Sequence, residues 1–469
     1  MQKHPLWNHQ KQAIEFAKNK KEVALLFDVG TGKTRTAIEI LIEWYSQYGD
    51  LQKTLIFCPP IVVQNWKNEF LKYSDIPGSE ICLVQGKMKD RSEIIKSTAS
   101  RILVTNYESI LDKNVVLALH EWRPHVLIAD EMHRLKNPTA KRTKAIVPLA
   151  GLAERRIGLT GTPVLNSELD IFSQWRFLDG GETFGKNFFT FRNRYFVDKN
   201  SRMPRHIHFP DWVVKPTSRD EISAKIASKA MAAKKSDCLD LPPLLKIVVE
   251  VEMDAEMRKF YRAMKEDCVA LLNNKIVSAP LAITSLIRLQ QVCSGYSVTD
   301  DTKDVVRFAN NPKAHALKEL LEQITPNNKV IVWCAFIPDY DTVTKVCDDL
   351  KIETVMLTGK TSPESRVSMV EAFENDPKVR VLIAHPASAG EGINLVSASY
   401  SIYYSRNFNL GHYLQSEARN YRAGSERHSS ITHIDLVMRD SIDADVLEAV
   451  RNKEDIAEKV IQKIKNGKA

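Results

Sequence analysis

Phe27-Asp28-Val29-Gly30-Thr31-Gly32-Lys33-Thr34 follows directly on the apolar run Val23-Ala24-Leu25-Leu26. A buried strand that breaks into a glycine loop and ends in Lys-Thr is built to hold phosphates. Gly30 and Gly32 let the loop's backbone N–H groups, Thr31 among them, turn inward. Lys33 meets the β- and γ-phosphates of ATP, and the Thr34 hydroxyl ligates Mg²⁺. The full G-x-x-x-x-G-K-[ST] pattern is not met, because Phe27 stands where its first glycine belongs. Gly-x-Gly-Lys-Thr alone is short enough to arise by chance, so the reading needs support elsewhere.

That support begins ninety-seven residues after Lys33, where the short apolar run Val126-Leu127-Ile128-Ala129 ends in Asp130-Glu131-Met132-His133. A carboxylate at the tip of a buried strand beside a phosphate loop is where Mg²⁺ must be held. Asp130 takes that role, and Glu131 orients and deprotonates the attacking water. Without Lys33, the same residues would read as an ordinary acidic strand end.

At 469 residues the chain exceeds what one hydrophobic core usually serves, so two domains are expected. A hydrophobic content of 43% and a charged content of 26% are those of a soluble globular protein. No apolar run approaches the roughly 20 residues that span a bilayer. The start, Met1-Gln2-Lys3-His4-Pro5-Leu6-Trp7, lacks the apolar core of a signal peptide. Seven scattered cysteines without a C-x-x-C argue against a disulfide framework and against zinc. These features point to the cytoplasm and away from a membrane.

The net charge of +8 is unevenly spread. Residues 186–235 hold seven Lys and five Arg against three Asp and one Glu, an excess equal to that of the whole chain. Aromatics interleave with this charge in Phe188-Phe189-Thr190-Phe191-Arg192-Asn193-Arg194-Tyr195-Phe196. Basic plus aromatic is the composition of a nucleic-acid-contacting surface, with Arg192 and Arg194 as its leading candidates. The same composition also suits a solvated helical insertion whose aromatics form its own small core.

The first third alternates strands and helices. Strands are predicted at 23–27, 54–58, 102–105, 126–129 and 156–160. A helix is predicted from Lys33 through Ala37, Ile40, Leu41 and Trp44. Short apolar strands separated by helices imply a parallel sheet covered on both sides. From about 165 to 325 the strand signal weakens, and 257–272 and 281–292 have helical spacing. Leu241-Pro242-Pro243 is the best single break. Strands return at 330–333, 354–357, 379–384, 401–404 and 431–436. Two similar sheets, only one bearing Lys-Thr, place the expected nucleotide between them.

The second set should then send arginines toward the phosphates. Arg419 and Arg422, in Gln415-Ser416-Glu417-Ala418-Arg419-Asn420-Tyr421-Arg422-Ala423-Gly424, are three apart and share a helix face. Arginine fingers of this kind stabilise charge on the γ-phosphoryl group. A surface arginine pair is the plainer reading of any R-x-x-R.

The order of these motifs resembles superfamily 2 helicases, and within them the Swi/Snf-like translocases. Trp7-Asn8-His9-Gln10 is similar to the family's adenine-reading segment, which implies Gln10 as a ligand of the base. The loop at 28–34 resembles motif I, where an acidic residue and a non-glycine are usual at the start. Leu55-Ile56-Phe57-Cys58-Pro59-Pro60, followed by Gln64-Asn65-Trp66, resembles motif Ia. Val104-Thr105-Asn106-Tyr107-Glu108 resembles the next strand-end DNA contact. The resemblance implies Pro59, Asn106 and Tyr107 as nucleic-acid contacts. Asp130-Glu131-Met132-His133-Arg134-Leu135-Lys136-Asn137 carries this branch's extension of motif II. Leu159-Thr160-Gly161-Thr162-Pro163 resembles motif III, so that His133, Thr160 and Thr162 would link hydrolysis to lobe movement. Ala389-Gly390-Glu391-Gly392-Ile393-Asn394-Leu395 resembles motif V, with Gly392 at the nucleotide and Asn394 at the nucleic acid, and 415–424 resembles motif VI. Ala418, Tyr421 and Phe408 depart from the family's usual Asp, His and Trp, which puts coupling to DNA in question.

The resemblance implies an α/β protein of two tandem RecA-like phosphate-loop ATPase lobes with helical insertions. The expected layout is a first lobe over 1–180, a basic and aromatic insertion over 181–240, and a mainly helical segment over 241–325. A second lobe with a C-terminal helix follows over 326–469. The chain looks closer to compact phage or bacterial members than to eukaryotic remodellers, which would place it in a host's cytoplasm if phage-encoded. The implied activity is ATP- and Mg²⁺-dependent movement along duplex or branched DNA, at forks or junctions of replication, repair or recombination. An RNA helicase or the motor of a restriction system are the enzymatic alternatives. A DNA-binding scaffold with a vestigial ATPase fold is the non-enzymatic one, and retention of Lys33, Asp130, Glu131, Arg419 and Arg422 speaks against it. Protein partners and oligomeric state are left open, a monomer included.

Overall fold

The computed structural model describes residues 5–453 except 162, 165–166, 204–209, 239, 274–278, 300–301, 303 and 388–392. The chain forms two units, Met1–Leu239 with Lys453–Ala469, and Asp240–Asn452. Among the described residues no helix is long and apolar enough to cross a membrane.

The strands of the first unit are β1 (Glu22–Phe27), β2 (Thr54–Cys58), β3 (Ile81–Val84), β4 (Ile102–Asn106), β5 (Val126–Asp130) and β6 (Arg155–Leu159). A small antiparallel ribbon, β7 (Phe196–Asp198) with β8 (Trp212–Val214), precedes β9 (Ala230–Ala233). The main sheet runs β3-β4-β2-β5-β6-β1-β9, parallel at every pairing. β1, β2 and β5 are nearly continuous apolar runs because both faces are covered. Ala24 and Leu26 point into one core, while Val23, Leu25 and Phe27 point into the other. Leu127 and Ala129 part from Val126 and Ile128 in the same way. Each of the Val, Leu, Ile and Phe side chains among these contributes about 1.5–3 kcal/mol when taken out of water.

The helix Lys33–Tyr48 buries Ala37, Ile40, Leu41 and Trp44, the face its spacing predicts, and the indole of Trp44 donates to the carbonyl of Ala17. Gly49, at φ +72°, ends it in the left-handed region. Two strands of this sheet have no counterpart in the sequence reading. β3 is only four residues long. β9, Ala-Met-Ala-Ala, falls in the stretch read as an insertion, yet pairs with β1 as an edge strand. Its alanines carry no strand signal, and main-chain pairing alone defines it. The other end of the pairing is tied as well, since Asp28 N–H donates to Ala233 O and Asp28 Oδ2 accepts from Lys235 N–H.

The aromatics of the basic segment join the first unit's core. Phe184, Phe191, Tyr195 and Phe196 are buried and contact one another, with Phe191 against Phe172 of the lobe proper. Phe189 is the exposed member, at 62%. The separate small core considered for this segment is therefore continuous with the lobe.

In the second unit, β10 (Leu244–Val251) precedes the helices Ala255–Asn273 and Ala279–Cys293 and the ribbon β11 (Tyr296–Val298) with β12 (Val305–Arg307). The strands β13 (Lys329–Trp333), β14 (Glu353–Leu357), β15 (Val379–Ala384), β16 (Ala398–Tyr403) and β17 (Ile431–Met438) follow. The sheet order is β10-β17-β16-β13-β15-β14, again all parallel. Val330 and Val332 face one core, Ile331 and Trp333 the other. β10 lies in the stretch read as mainly helical, while both long helices occupy the spans that had helical spacing. Residues 442–453 are helical, and the remainder of the expected C-terminal helix lies outside the described residues.

A polar knot is sealed into this unit. Asp339 and Lys313 are both fully buried; Asp339 accepts from the Ser405 hydroxyl and from Phe336 N–H, and Lys313 pairs with Asp443. Burial pushes the Asp339 carboxyl up to about 7, although Ser405 and the Lys313 charge oppose the shift.

Candidate active site

Parallel α/β sheets offer their ligand sites at the carboxyl ends of the strands. β1, β6 and β5 are consecutive neighbours in the first sheet, so the phosphate loop, Thr160 and Asp130-Glu131 emerge side by side. Gly30 and Gly32 adopt φ of +89° and +81°, which a side chain would resist. A Cβ on Gly32 would lie 2.4 Å from Gln10 Nε2, and one on Gly161 would lie 3.1 Å from Phe27 O. The loop is thus wedged between the N-terminal helix Asn8–Ala17 and the Thr160-Gly161 turn. The Lys33 ammonium, 9% exposed, donates to the carbonyls of Phe27 at 2.9 Å and Asp28 at 3.3 Å. The Thr31 hydroxyl donates to Asp28 O at 2.8 Å.

The N-terminal helix braces the loop. His9 Nε2–H donates to Thr31 O at 2.9 Å, and burial holds the ring's pKa below its usual value, which keeps it neutral. Gln10 Oε1 accepts from Trp7 N–H at 2.9 Å, and Gln10 Nε2 lies 3.5 Å from Gly32 O. The glutamine expected at the base therefore rests against the loop itself.

Asp130 is 7% exposed, and both its oxygens are engaged. Trp66 Nε1–H donates to Oδ2 at 2.9 Å, and Glu131 N–H donates to Oδ1 at 3.0 Å. Glu131 itself sits at φ +53°, a conformation costing a non-glycine residue about 1–2 kcal/mol. Burial would raise its pKa, but the hydrogen bond from His133 and the charges of Lys33, His133 and Arg134 outweigh burial. The carboxyl ends well below the usual range, at about 2, and stays ionised. His133 Nδ1 is 3.2 Å from Glu131 Oε2 and also 3.2 Å from Thr160 Oγ1. Oxygen donors such as the Asp130 carboxylate and Thr34 hydroxyl suit a hard cation like Mg²⁺, and the glycine-lined loop suits phosphate. The residues present fit ATP with Mg²⁺.

The expected nucleic-acid contacts fare unevenly. Tyr107 is fully buried, stacked on Phe57, and its hydroxyl donates to Asp130 O at 2.7 Å, so its side chain is structural. Asn106 is 8% exposed and caps its own turn, accepting from Ser109 N–H and from Arg91 Nη1. Pro59 is buried at the end of β2. Arg192 stacks at 4.0 Å over Trp212, and Arg194 pairs with Glu221 at 2.8 Å. Asn394 is exposed. Thr162 and Gly392, and Arg205 of the basic segment, lie outside the described residues.

In the second unit the helix Leu410–Asn420 ends before Arg422, so the pair does not share a helix face as its spacing predicts; the Nη1 groups of both arginines still meet on Ile393 O, at 3.0 and 3.4 Å. Arg419 is 3% exposed and also donates through Nε to Gln415 O. Its first task is to fasten the turn that precedes β16.

A lysine-bearing glycine loop beside an ionised Glu131 on a parallel sheet defines a phosphate-loop nucleotide hydrolase. The chain belongs to the SNF2-related family: the SNF2-related domain spans residues 9–297, and a Helicase conserved C-terminal domain spans 312–424. It is accordingly an ATP-hydrolysing enzyme of the helicase class, superfamily 2 and Swi/Snf-like, built on two RecA-like lobes. It is 26% identical over 449 residues to a protein of Acyrthosiphon pisum secondary endosymbiont phage 1, covering 93% of this chain and 94% of that one. It is 25% identical to an ATP-dependent helicase of Mycoplasma genitalium, covering 97% of this chain and 42% of the relative. A human DNA annealing helicase and endonuclease is 24% identical over 428 residues, 88% of this chain and 37% of the human protein. The chain thus spans nearly all of the phage relative but less than half of the other two.

Proposed function

We propose that the chain is an ATP-driven translocase that moves along DNA and acts on forked or branched substrates in replication, repair or recombination. The observation that carries this reading is His133 Nδ1 placed 3.2 Å from both Glu131 Oε2 and Thr160 Oγ1, just past β5 and β6, which are consecutive with β1 and its Lys33 loop, with SNF2-related family membership as its context. The human relative's description as a DNA annealing helicase supports DNA as the track.

In this reading Lys33 neutralises the β- and γ-phosphates, and Thr34 and Asp130 hold the metal. Mg²⁺, when bound, neutralises charge developing on the phosphate oxygens. Glu131 orients the attacking water and takes its proton, and Arg422 acts as the finger. Contacts to DNA fall mostly on phosphates and are insensitive to sequence. Arg192, Arg194, Pro59, Asn106 and Asn394 are the residues proposed for them, through main chain where the side chain is buried.

The test is an assay panel measuring ATP turnover and strand displacement on forks, four-way junctions, blunt duplex, single-stranded DNA and RNA. Stimulation by branched DNA is the expected result. Turnover stimulated by RNA alone would overturn the choice of track, and nucleotide binding without any turnover would overturn the motor.

A further inference from the structure

Asp130 is held from both faces of the sheet by residues that no catalytic role accounts for. Trp66 lies on the helix Val63–Tyr73 that follows β2, inside one core, and its indole N–H reaches Oδ2 at 2.9 Å. Tyr107 lies just past β4, inside the opposite core, and its hydroxyl reaches the Asp130 carbonyl at 2.7 Å. Trp66 is fully buried, and Asp130 is 64 residues away in sequence. A packed core needs an indole there for volume alone, but volume does not aim its one polar atom at one carboxylate oxygen. A buried tryptophan N–H must find an acceptor, and here the acceptor is the proposed metal ligand.

We propose that Trp66 is a positioning residue for Asp130 that sets the divalent-cation requirement of the ATPase. One Asp130 oxygen is fixed by the neighbouring main chain and the other by the indole, so the carboxylate plane cannot rotate. Tyr107 fixes the main chain beneath it. A carboxylate pre-aimed in this way binds a cation without first losing rotational freedom, and partners of metal ligands commonly set affinity by about 10–100-fold. The proposal rests on Asp130 being the metal's carboxylate.

The experiment measures the Mg²⁺ concentration giving half-maximal ATP turnover, together with fluorescent-ATP affinity in Mg²⁺ and in EDTA. Trp66→Phe keeps a ring but removes the N–H. It should raise the Mg²⁺ midpoint about tenfold and lose affinity only when Mg²⁺ is present. A residue that merely fills space would lower the melting temperature and kcat while leaving the midpoint in place. If Trp66→Phe does not fold, benzothienylalanine at position 66, which replaces the indole N–H by sulfur at nearly unchanged shape, tests the same bond. Asp130→Asn is the control. A midpoint moved by Asp130→Asn but by neither change at 66 overturns this inference alone. A midpoint indifferent to Asp130→Asn overturns the metal assignment, and the inference with it.

Discussion

His133 Nδ1 lies 3.2 Å from Glu131 Oε2, so the imidazole holds the carboxylate that sits two residues before it in the chain. The same nitrogen is 3.2 Å from the Thr160 hydroxyl at the end of β6. If Glu131 is the base proposed, its position, set by a neighbouring strand, is separable from the groups that bind nucleotide. Glu131→Gln should therefore keep ATP affinity within a few-fold and lower kcat by about 10²–10⁴. Single-turnover kinetics beside equilibrium ATP binding measure both; loss of binding instead would make Glu131 structural.

Lys33→Ala should end hydrolysis while DNA affinity stays within a few-fold of wild type, because the ammonium is turned to the loop carbonyls. Filter binding and a phosphate-release assay read the two quantities. Substantial DNA-dependent turnover in this variant would refute the phosphate loop.

The two arginines should differ. Arg422→Ala should lower kcat by about 10³ with a smaller effect on nucleotide affinity. Arg419→Ala should in addition lower the melting temperature, since the lost side chain bridges Gln415 O and Ile393 O from a buried position. Equal melting temperatures with equal kinetics would show that the pair acts as one.

Asp339 makes stability depend on pH. Burial raises its folded pKa from 3.8 to about 7, so the stability it lends is complete below 3.8 and is lost as pH rises through about 7. The whole effect is on the order of 4 kcal/mol. Asp339→Asn keeps the acceptor for Ser405 and should flatten the decline in denaturant midpoint between pH 5 and 8. An unchanged pH slope would show that the carboxyl ionises without cost.

Neutralising Arg192, Arg194, Arg202 and Arg205 should weaken DNA binding alike on every sequence. The slope of log K against log salt should shrink by roughly 0.7–0.9 per lost phosphate contact. Because Arg192 packs on Trp212 and Arg194 pairs with Glu221, part of the effect should show as lower stability of this segment. A folded variant with an unaltered slope would leave the charge as a solvated face.

What the sequence disclosed was whatever repeats locally. The buried run of β1, the glycine loop and the helix at Lys33 are contiguous, and so are β5 and its carboxylates. β9 escaped because alanines say nothing about strands. Tyr107 was misassigned because a strand end does not reveal which way the next side chain turns; here it turns into the core. The Trp66 to Asp130 bond and the Lys313, Asp339 and Asp443 knot join residues distant in sequence, and no spacing encodes them. Of the arginine pair, neither the end of the helix at Asn420, which leaves Arg422 outside it, nor the burial of Arg419 was legible from the interval of three.

Asp28 holds Lys235 N–H and gives its own N–H to Ala233 O, which fastens the first residue of the phosphate loop to the far end of the basic segment. During synthesis, residue 28 therefore waits for some two hundred later residues before its last partners leave the ribosome. A shorter fragment carrying every motif up to Pro163 would present the loop on a sheet with a missing border. The loop is in this sense finished only when β9 is made, some two hundred residues after its own glycines.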